Sequence, residues 1–430
     1  MTIKKSVFAL VIVFSFVLCL FFTESYAATI NAQSASYSDV ASAVSSASEG
    51  DTVIVPAGSA TWDASLVITK GITLQGAGIG NTIITNGIAK STVNDYVIKY
   101  NPSSGDPWFE LTGFTINANS HGGCVTVWHT AAVAALKNFR IHHNRFINSY
   151  SNDSGEAQAA VRIKGQVYGL LDNCEFANND TEFRPMGDDD NSWNNFPIEP
   201  GTVNFFYIED NTFTRTTDMV IESGEGTRWV FRHNNVNLST MGSGDCILDA
   251  HGDTGNRGNV GHECYENTYT NGYEVKMHDH RGGTFFDFNN TIAAGTSGVR
   301  TFIHVREEYV PGNDRLTGSY IWNNRNSNDN RIVAVWESDS YGYIEEDTDW
   351  WDDAARDPGG ESPSNFNYDV AANRPGTCSD DDCYWETDTR KLYRCDGANN
   401  WTLIYTPYTY PHPLSLSGPG APKNLRTINK

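Results

Sequence analysis

Short apolar or alternating runs recur along this chain, and each is followed by Asn, any residue, then an aromatic or aliphatic residue. The pattern reads Asn144-Arg-Phe146, Asn211-Thr-Phe213, Asn234-Asn-Val236, Asn267-Thr-Tyr269 and Asn290-Thr-Ile292, with Cys174-Glu-Phe176 in the same slot. The runs just upstream are Phe139–Ile141, Tyr168–Leu171, Phe205–Ile208, Trp229–Phe231 and Phe285–Phe288. Successive slots lie 30, 37, 23, 33 and 23 residues apart. A short period with insertions predicts a solenoid whose coils bury their inner faces only against one another. Asn accepts the left-handed backbone region better than other side-chain-bearing residues, so it suits a sharp turn between two short strands. Amides turning at the same place in every coil would stack and hydrogen-bond, with the next apolar residue pointing inward. Hairpin signals such as Asn-Gly between alternating runs are sparse, which weighs against a propeller or sandwich.

Upstream, residues 39–47 read as a short amphipathic helix, apolar at Val40, Ala41, Val44 and Ala47. Gly50-Asp-Thr-Val-Ile-Val-Pro-Ala-Gly58, Gly71-Ile-Thr-Leu-Gln-Gly-Ala-Gly78 and Asn81-Thr-Ile-Ile84 follow. This arrangement resembles the N-terminal cap and first coils of the pectin-lyase-like superfamily, over roughly residues 35–345. An open β-helix end exposes strand edges, so a cap is expected there. The resemblance implies an all-β right-handed parallel β-helix with an N-terminal capping helix. That superfamily hosts lyases, hydrolases, epimerases and non-catalytic adhesins, so fold alone leaves activity open.

Residues 1–27 read as a secretory signal peptide: Lys4 and Lys5, an apolar run from Val7 to Phe22, and Ser25-Tyr-Ala27 as a cleavage site. No later stretch is apolar enough to span a bilayer. The expected product is a secreted protein, extracellular or periplasmic, read as a monomer. The β-helix is expected over 28–345, an acidic and Gly/Pro-rich linker or loop over 346–375, a Cys- and aromatic-rich capping element over 376–414 that closes the end of the stack or folds back along it, and a flexible tail over 415–430. An acidic insertion, 187–196, is read as a loop that lines a groove, holds calcium or is simply solvated.

The formal charge of −22 argues against nucleic acid as a partner. An anionic substrate therefore needs a local cationic patch or a bound metal. Eleven Trp offer platforms for sugar rings, although most are expected in the core. Seven Cys follow Ala27; Cys378 or Cys383 is expected to pair with Cys395, and Cys174 and Cys246 to fill core columns.

Strand side chains alternate between core and solvent. Taking Val161, Ile163, Cys246, Leu248, Val275, Met277, Ile303 and Val305 as inward places their polar neighbours outside. Glu222, Asp249, His278 and His304 then stack on consecutive coils about 4.8 Å apart. His251, His280 and Arg306 form a second column, beside Lys276. Arg162 and Lys164 lie on the same face, with Arg257, Arg281 and Trp193 flanking it. This is the densest ionisable group in the chain. It suits β-elimination on a uronic-acid polysaccharide, which needs a cation for the carboxylate, a base and an acid. Candidate catalytic residues are Lys276, His278, His280, His304, Arg306 and His251. Candidate substrate-binding residues are Arg162, Lys164, Arg257, Arg281 and Trp193. Glu222 and Asp249 are candidate Ca²⁺ ligands. The alternatives are a β-helix glycoside hydrolase and a non-catalytic glycan-binding or adhesin-like β-helix. Polygalacturonase-like hydrolases carry Asn-Thr-Asp, Asp-Asp, Gly-His-Gly and Arg-Ile-Lys in that order. Here Arg162-Ile-Lys164 precedes Ala250-His-Gly252 and Asn-Thr-Asp is absent, and intact pectate-lyase motifs are lacking too.

Overall fold

The computed structural model describes residues 27–89, 95–102, 105–129, 134–150, 159–214, 218–239, 246–251, 257–272, 276–294, 302–307, 315–339, 342–353 and 365–416. The signal-peptide reading, residues 354–364 of the linker and nearly all of the tail lie outside these residues. Three long sheets of 12, 10 and 10 strands run the length of the chain, and every neighbouring pair in them is parallel. Each coil gives one short strand to each sheet in turn. Phe139–His142 joins the first sheet, Arg145–Ile147 the third and Val161–Gly165 the second. This is the right-handed parallel β-helix that the resemblance implies, built from the coils that the Asn pattern predicts.

The ladder explains the pattern at atomic level. Asn211, Asn234, Asn267 and Asn290 are buried, and each donates its backbone N–H to the side-chain oxygen of the next Asn, at 2.9–3.0 Å. Their side-chain amides bond to the same oxygens at 2.9–3.1 Å. Asn324 extends the column by one coil that the sequence reading missed, because no aromatic residue follows it two positions on. Cys174 occupies its slot as expected, its backbone N–H donating to Asn211 Oδ1 at 2.9 Å. The left-handed residue, however, is the one before each ladder position: His143, Asn173, Asp210, His233, Glu266, Asn289 and Asn323 have φ of 51–59°. Asn is selected for its amide, which caps the turn, and the residue ahead of it absorbs the bend. Two positions after each ladder residue, Phe146, Phe176 and Phe213 stack inside with centroids 5.2 and 4.8 Å apart.

Helix α1, Tyr37–Ser46, starts at Ser36, whose hydroxyl accepts from the Asp39 N–H, and it buries Val40, Ala43 and Val44. It touches the first strands of all three sheets, as a cap must. The 187–196 insertion contains a short helix, Asp189–Asn195, instead of a loop. The C-terminal segment folds into a four-stranded sheet over Phe366–Tyr405, closed by a Cys378–Cys395 disulfide that leaves Cys383 as a buried thiol. Of the two expected placements, capping the end of the stack or folding back along it, it takes the second and lies along the side. The outer face of the first sheet is aromatic (Tyr207, Tyr265, Phe286, Phe288, Tyr320, Trp322) and needs a cover, which Trp385, Leu392 and Tyr405 supply. A fully buried Arg232–Glu209 pair at 2.6 Å anchors the strap through Arg232 bonds to the carbonyls of Tyr408 and Thr409.

Candidate functional site

The second sheet presents its outer face uncovered by the strap, and its register decides which side chains share that face. One column runs Arg162, Arg184, Glu222, Asp249, Asp279, His304 and Trp336 on successive coils. Two residues further along the strands lie Trp128, Lys164, Met186, His251, Arg281, Arg306 and Ser338. Trp128 and Trp336 are 38% and 40% exposed at the two ends. Seven coil steps separate them, which is roughly 34 Å at about 4.8 Å per step.

Ion pairs link the columns. Asp279, buried, receives Lys276 Nζ at 2.6 Å and Arg306 Nε at 2.9 Å, and His304 Nδ1 lies 3.3 Å away. Burial works to raise its carboxyl, but the His304 contact and the charges of Arg281 and Arg306 outweigh burial and hold it far below the ordinary 3.8. Asp249 accepts from Arg281 and lies 3.2 Å from His251 Nδ1, and Arg281 Nη2 is 3.0 Å from the same nitrogen. His251 is 36% exposed at its side chain. Glu222 faces Arg184 at 3.3 Å. His304 lies flat on Trp336, with centroids 4.7 Å apart, and its Nε2 is 2.8 Å from Ser338 Oγ. At the strand ends Lys164 meets Glu225 at 3.1 Å, and the Arg257 guanidinium stands 4.9 Å from the Trp193 ring. Trp193 Nε1 donates to Gly258 O at 3.2 Å, which seats the short helix against this edge. In a chain with an excess of acid, this face sets Arg162, Lys164, Arg184, Lys276, Arg281 and Arg306 against the carboxylates of Glu222, Asp249 and Asp279, with Glu225 at the strand end.

Two candidates are corrected. His278 and His280 do not join the outer columns. His278 sits between Leu248 and Ile303, and His280 between Ala250 and Val305, all core positions. Their polarity suggested an outward orientation, but the interior offers partners. Asp287 Oδ2 accepts from His278 Nδ1 and, at 2.8 Å, from His280 Nε2. Tyr269 Oη lies 2.9 Å from His278 Nε2, and His262 Nε2 lies 2.7 Å from His280 Nδ1. Burial pushes His280 below its ordinary range and His262 well below it. The residue between the two histidines, Asp279, takes the outer place assigned to His278. Counting two-residue steps along Lys276–His280 from the partners of Leu248 instead of from residue polarity would have found it. Arg184, Trp128, Trp336 and Ser338 were also missed.

Glu222 and Asp249 fit calcium poorly. Each already faces an arginine, and a hard cation needs six or more oxygens.

No family model matches the chain, and no curated protein matches it in sequence. Among solved structures it is similar to an alginate lyase from Paenibacillus sp. str. FPU-7, at 13% identity and TM-score 0.38 over 72% of this chain and 98% of that one. PfbA, a surface adhesin of Streptococcus pneumoniae, aligns at 11% identity and TM-score 0.42 over 86% of this chain and 95% of that one. The A-module of a mannuronan C-5 epimerase from Azotobacter vinelandii aligns at 12% identity and TM-score 0.27 over 74% and 95%. At these identities and TM-scores no residue role is carried over. No helix among the described residues is long and apolar enough to cross a membrane.

Proposed function

We propose that this is an exported carbohydrate-active protein that cleaves a uronic-acid polysaccharide by β-elimination across the outer face of the second sheet. The observation that carries the reading is the cationic strip with a half-exposed imidazole, His251, held by Asp249 and Arg281. In this reading Arg281 and Arg306 face the uronate carboxylate and stabilise the carbanion-like charge that develops on it. With its Nδ1–H donated to Asp249, His251 takes the C5 proton on Nε2; the C4–O4 electron pair leaves with O4, which takes a proton from water, and a 4,5-double bond remains. Asp249 orients the imidazole. Trp128 and Trp336 suit sugar rings at the two ends. Hydrolysis is served less well: each of the three carboxylates is paired with an arginine, whereas a hydrolase acid must stay protonated.

Ultraviolet absorbance of the unsaturated product, over a panel of uronic-acid polymers with and without calcium, tests this. Wild type should give rising absorbance, and His251→Ala should lose on the order of a hundredfold or more while keeping its fold. The second reading, glycan binding without cleavage, is favoured by one feature: the acid groups of the face are already saturated by internal ion pairs. Polymer binding without absorbance change or new reducing ends, on every polymer, would replace the lyase reading with that one.

A further inference from the structure

We propose that the β-helix interior holds a divalent first-row transition cation, zinc being the natural probe, between His278 Nδ1, His280 Nε2 and Asp287 Oδ2. One ligand atom from each residue lies within 4.8 Å of the others, and all three residues are buried. Two imidazole nitrogens and a carboxylate oxygen form a borderline donor set of the kind that selects zinc-like ions over calcium or magnesium.

Three observations support a built site. The first is its setting. The columns above and below are apolar: Leu248 and Ile303 flank His278, Ala250 and Val305 flank His280, and Cys264 and Ile321 flank Asp287. A solenoid core gains nothing from such a cluster in hydrophobic terms, since each polar group must be desolvated. The second is the support behind each donor. His278 has Tyr269 Oη at its other nitrogen, His280 has His262 Nε2, and Asp287 Oδ1 accepts from Asn290 Nδ2 at 2.9 Å. Metal-bound histidines and carboxylates are characteristically held from behind in this way. The third is rigidity. Asn290 belongs to the ladder, and Phe285 stacks on the His280 ring at 3.9 Å, so the donors are fixed by groups that cannot swing away.

The protons can be placed with a cation as well as without one, although His262 Nδ1 has no hydrogen-bond partner in either arrangement. Facing Asp287, His278 carries its proton on Nδ1 and His280 on Nε2. With a cation between the three, His278 carries its proton on Nε2, toward the Tyr269 oxygen, and His280 carries its proton on Nδ1, toward His262 Nε2. His262 then holds its own proton on Nδ1. The two arrangements hold the same number of protons. Both contacts to Asp287 Oδ2 must open to reach the ligand spacing of a tetrahedral zinc site, the 2.8 Å one from His280 by about half an ångström and the shorter one from His278 by more. Three protein donors leave one tetrahedral position for a water.

The test uses the full-length protein produced with and without added zinc, dialysed against EDTA, and analysed for metal by mass spectrometry. A cation enclosed in the core is loaded on folding and resists EDTA, so close to one zinc per chain is expected after dialysis, with a higher Tm than the zinc-free preparation. Cobalt loading should give the visible bands of a four-coordinate site. Zinc on the outer face, at His251 for instance, would leave on dialysis. Asp287→Asn and His278→Gln keep hydrogen-bonding capacity and should fold with metal content below a tenth of wild type. If these variants fail to fold, the wild-type stoichiometry decides. Wild type with less than about a tenth of an equivalent, and the same Tm in both preparations, overturns the proposal. So do variants that fold and retain the metal.

Discussion

Asp279→Asn is the perturbation that separates a functional outer face from a polar decoration. In wild type a buried carboxylate receives Lys276 at 2.6 Å and Arg306 at 2.9 Å, beside His304 at 3.3 Å. Breaking a buried ion pair costs about 3–5 kcal/mol when the partner charge is stranded. Lys276 and Arg306 are 23% and 17% exposed at their side chains and regain some water, so the expected loss is about 2–3 kcal/mol. The pH dependence follows from the depressed carboxyl. Unfolded, Asp279 titrates near 3.8; folded, well below that. Below the unfolded value the unfolded chain binds more protons, so the stabilisation is present in full above about pH 5 and drains as pH falls through 4. Urea unfolding of wild type and variant at pH 7, 5 and 3.5 should therefore show a gap that narrows only at the lowest pH. In the lyase assay the variant should lose turnover, since Arg306 is no longer aimed. A gap under about 0.5 kcal/mol, or one unchanged down to pH 3.5, refutes the assigned role of this pair.

Two further outcomes test the scaffold. Asn234→Ala strips the acceptor from the backbone and side-chain N–H of Asn211 and removes donors to Ile208 O and Arg232 O, so a loss of about 3 kcal/mol in chemical unfolding is expected. His412, in the strap, is buried against Tyr207 and Tyr408, and burial, then Arg232 and Arg140, depress it from 6.5 to about 3. A depressed imidazole stabilises the fold above its unfolded value and loses that contribution as pH falls below 6.5. By pH 5 wild type should give up about 2 kcal/mol relative to His412→Phe, read as the difference between their unfolding curves at pH 7 and pH 5.

The architecture was legible because its signal is repeated. The Asn slots place the turns, the apolar residue two positions on places a core column, and each coil restates the pattern. Outward positions were legible wherever apolar neighbours fixed the alternation, as for Asp249 beside Leu248 and for His304 beside Ile303. The reading failed at Lys276–His280, where Met277 is buried as well as His278 and His280 and the register to the next strand shifts between Lys276 and His278. There, residue chemistry gave the wrong parity, and only the partner strand carries the right one. The strap's position was not legible because nothing local in 366–414 says which surface needs covering; that information lies in Tyr207, Tyr265, Phe286 and Trp322, far away in sequence.

The same strand thus carries two sets of polar chemistry on opposite sides. Outward, Asp279 organises cations toward solvent. Inward, His278 and His280 grip Asp287 of the next coil and fix the strand against its neighbours. A side chain on a solenoid strand can be aimed only as well as its backbone is held, and short parallel strands hold one another mainly through hydrogen bonds and stacked columns. An apolar pair at 278 and 280 would pack, but it would allow sliding along the axis. Directional bonds from two imidazoles to one carboxylate, itself tied to the ladder through Asn290, resist that sliding. The position of Asp279 between the two histidines is therefore what links a polar core to the geometry of the outer face.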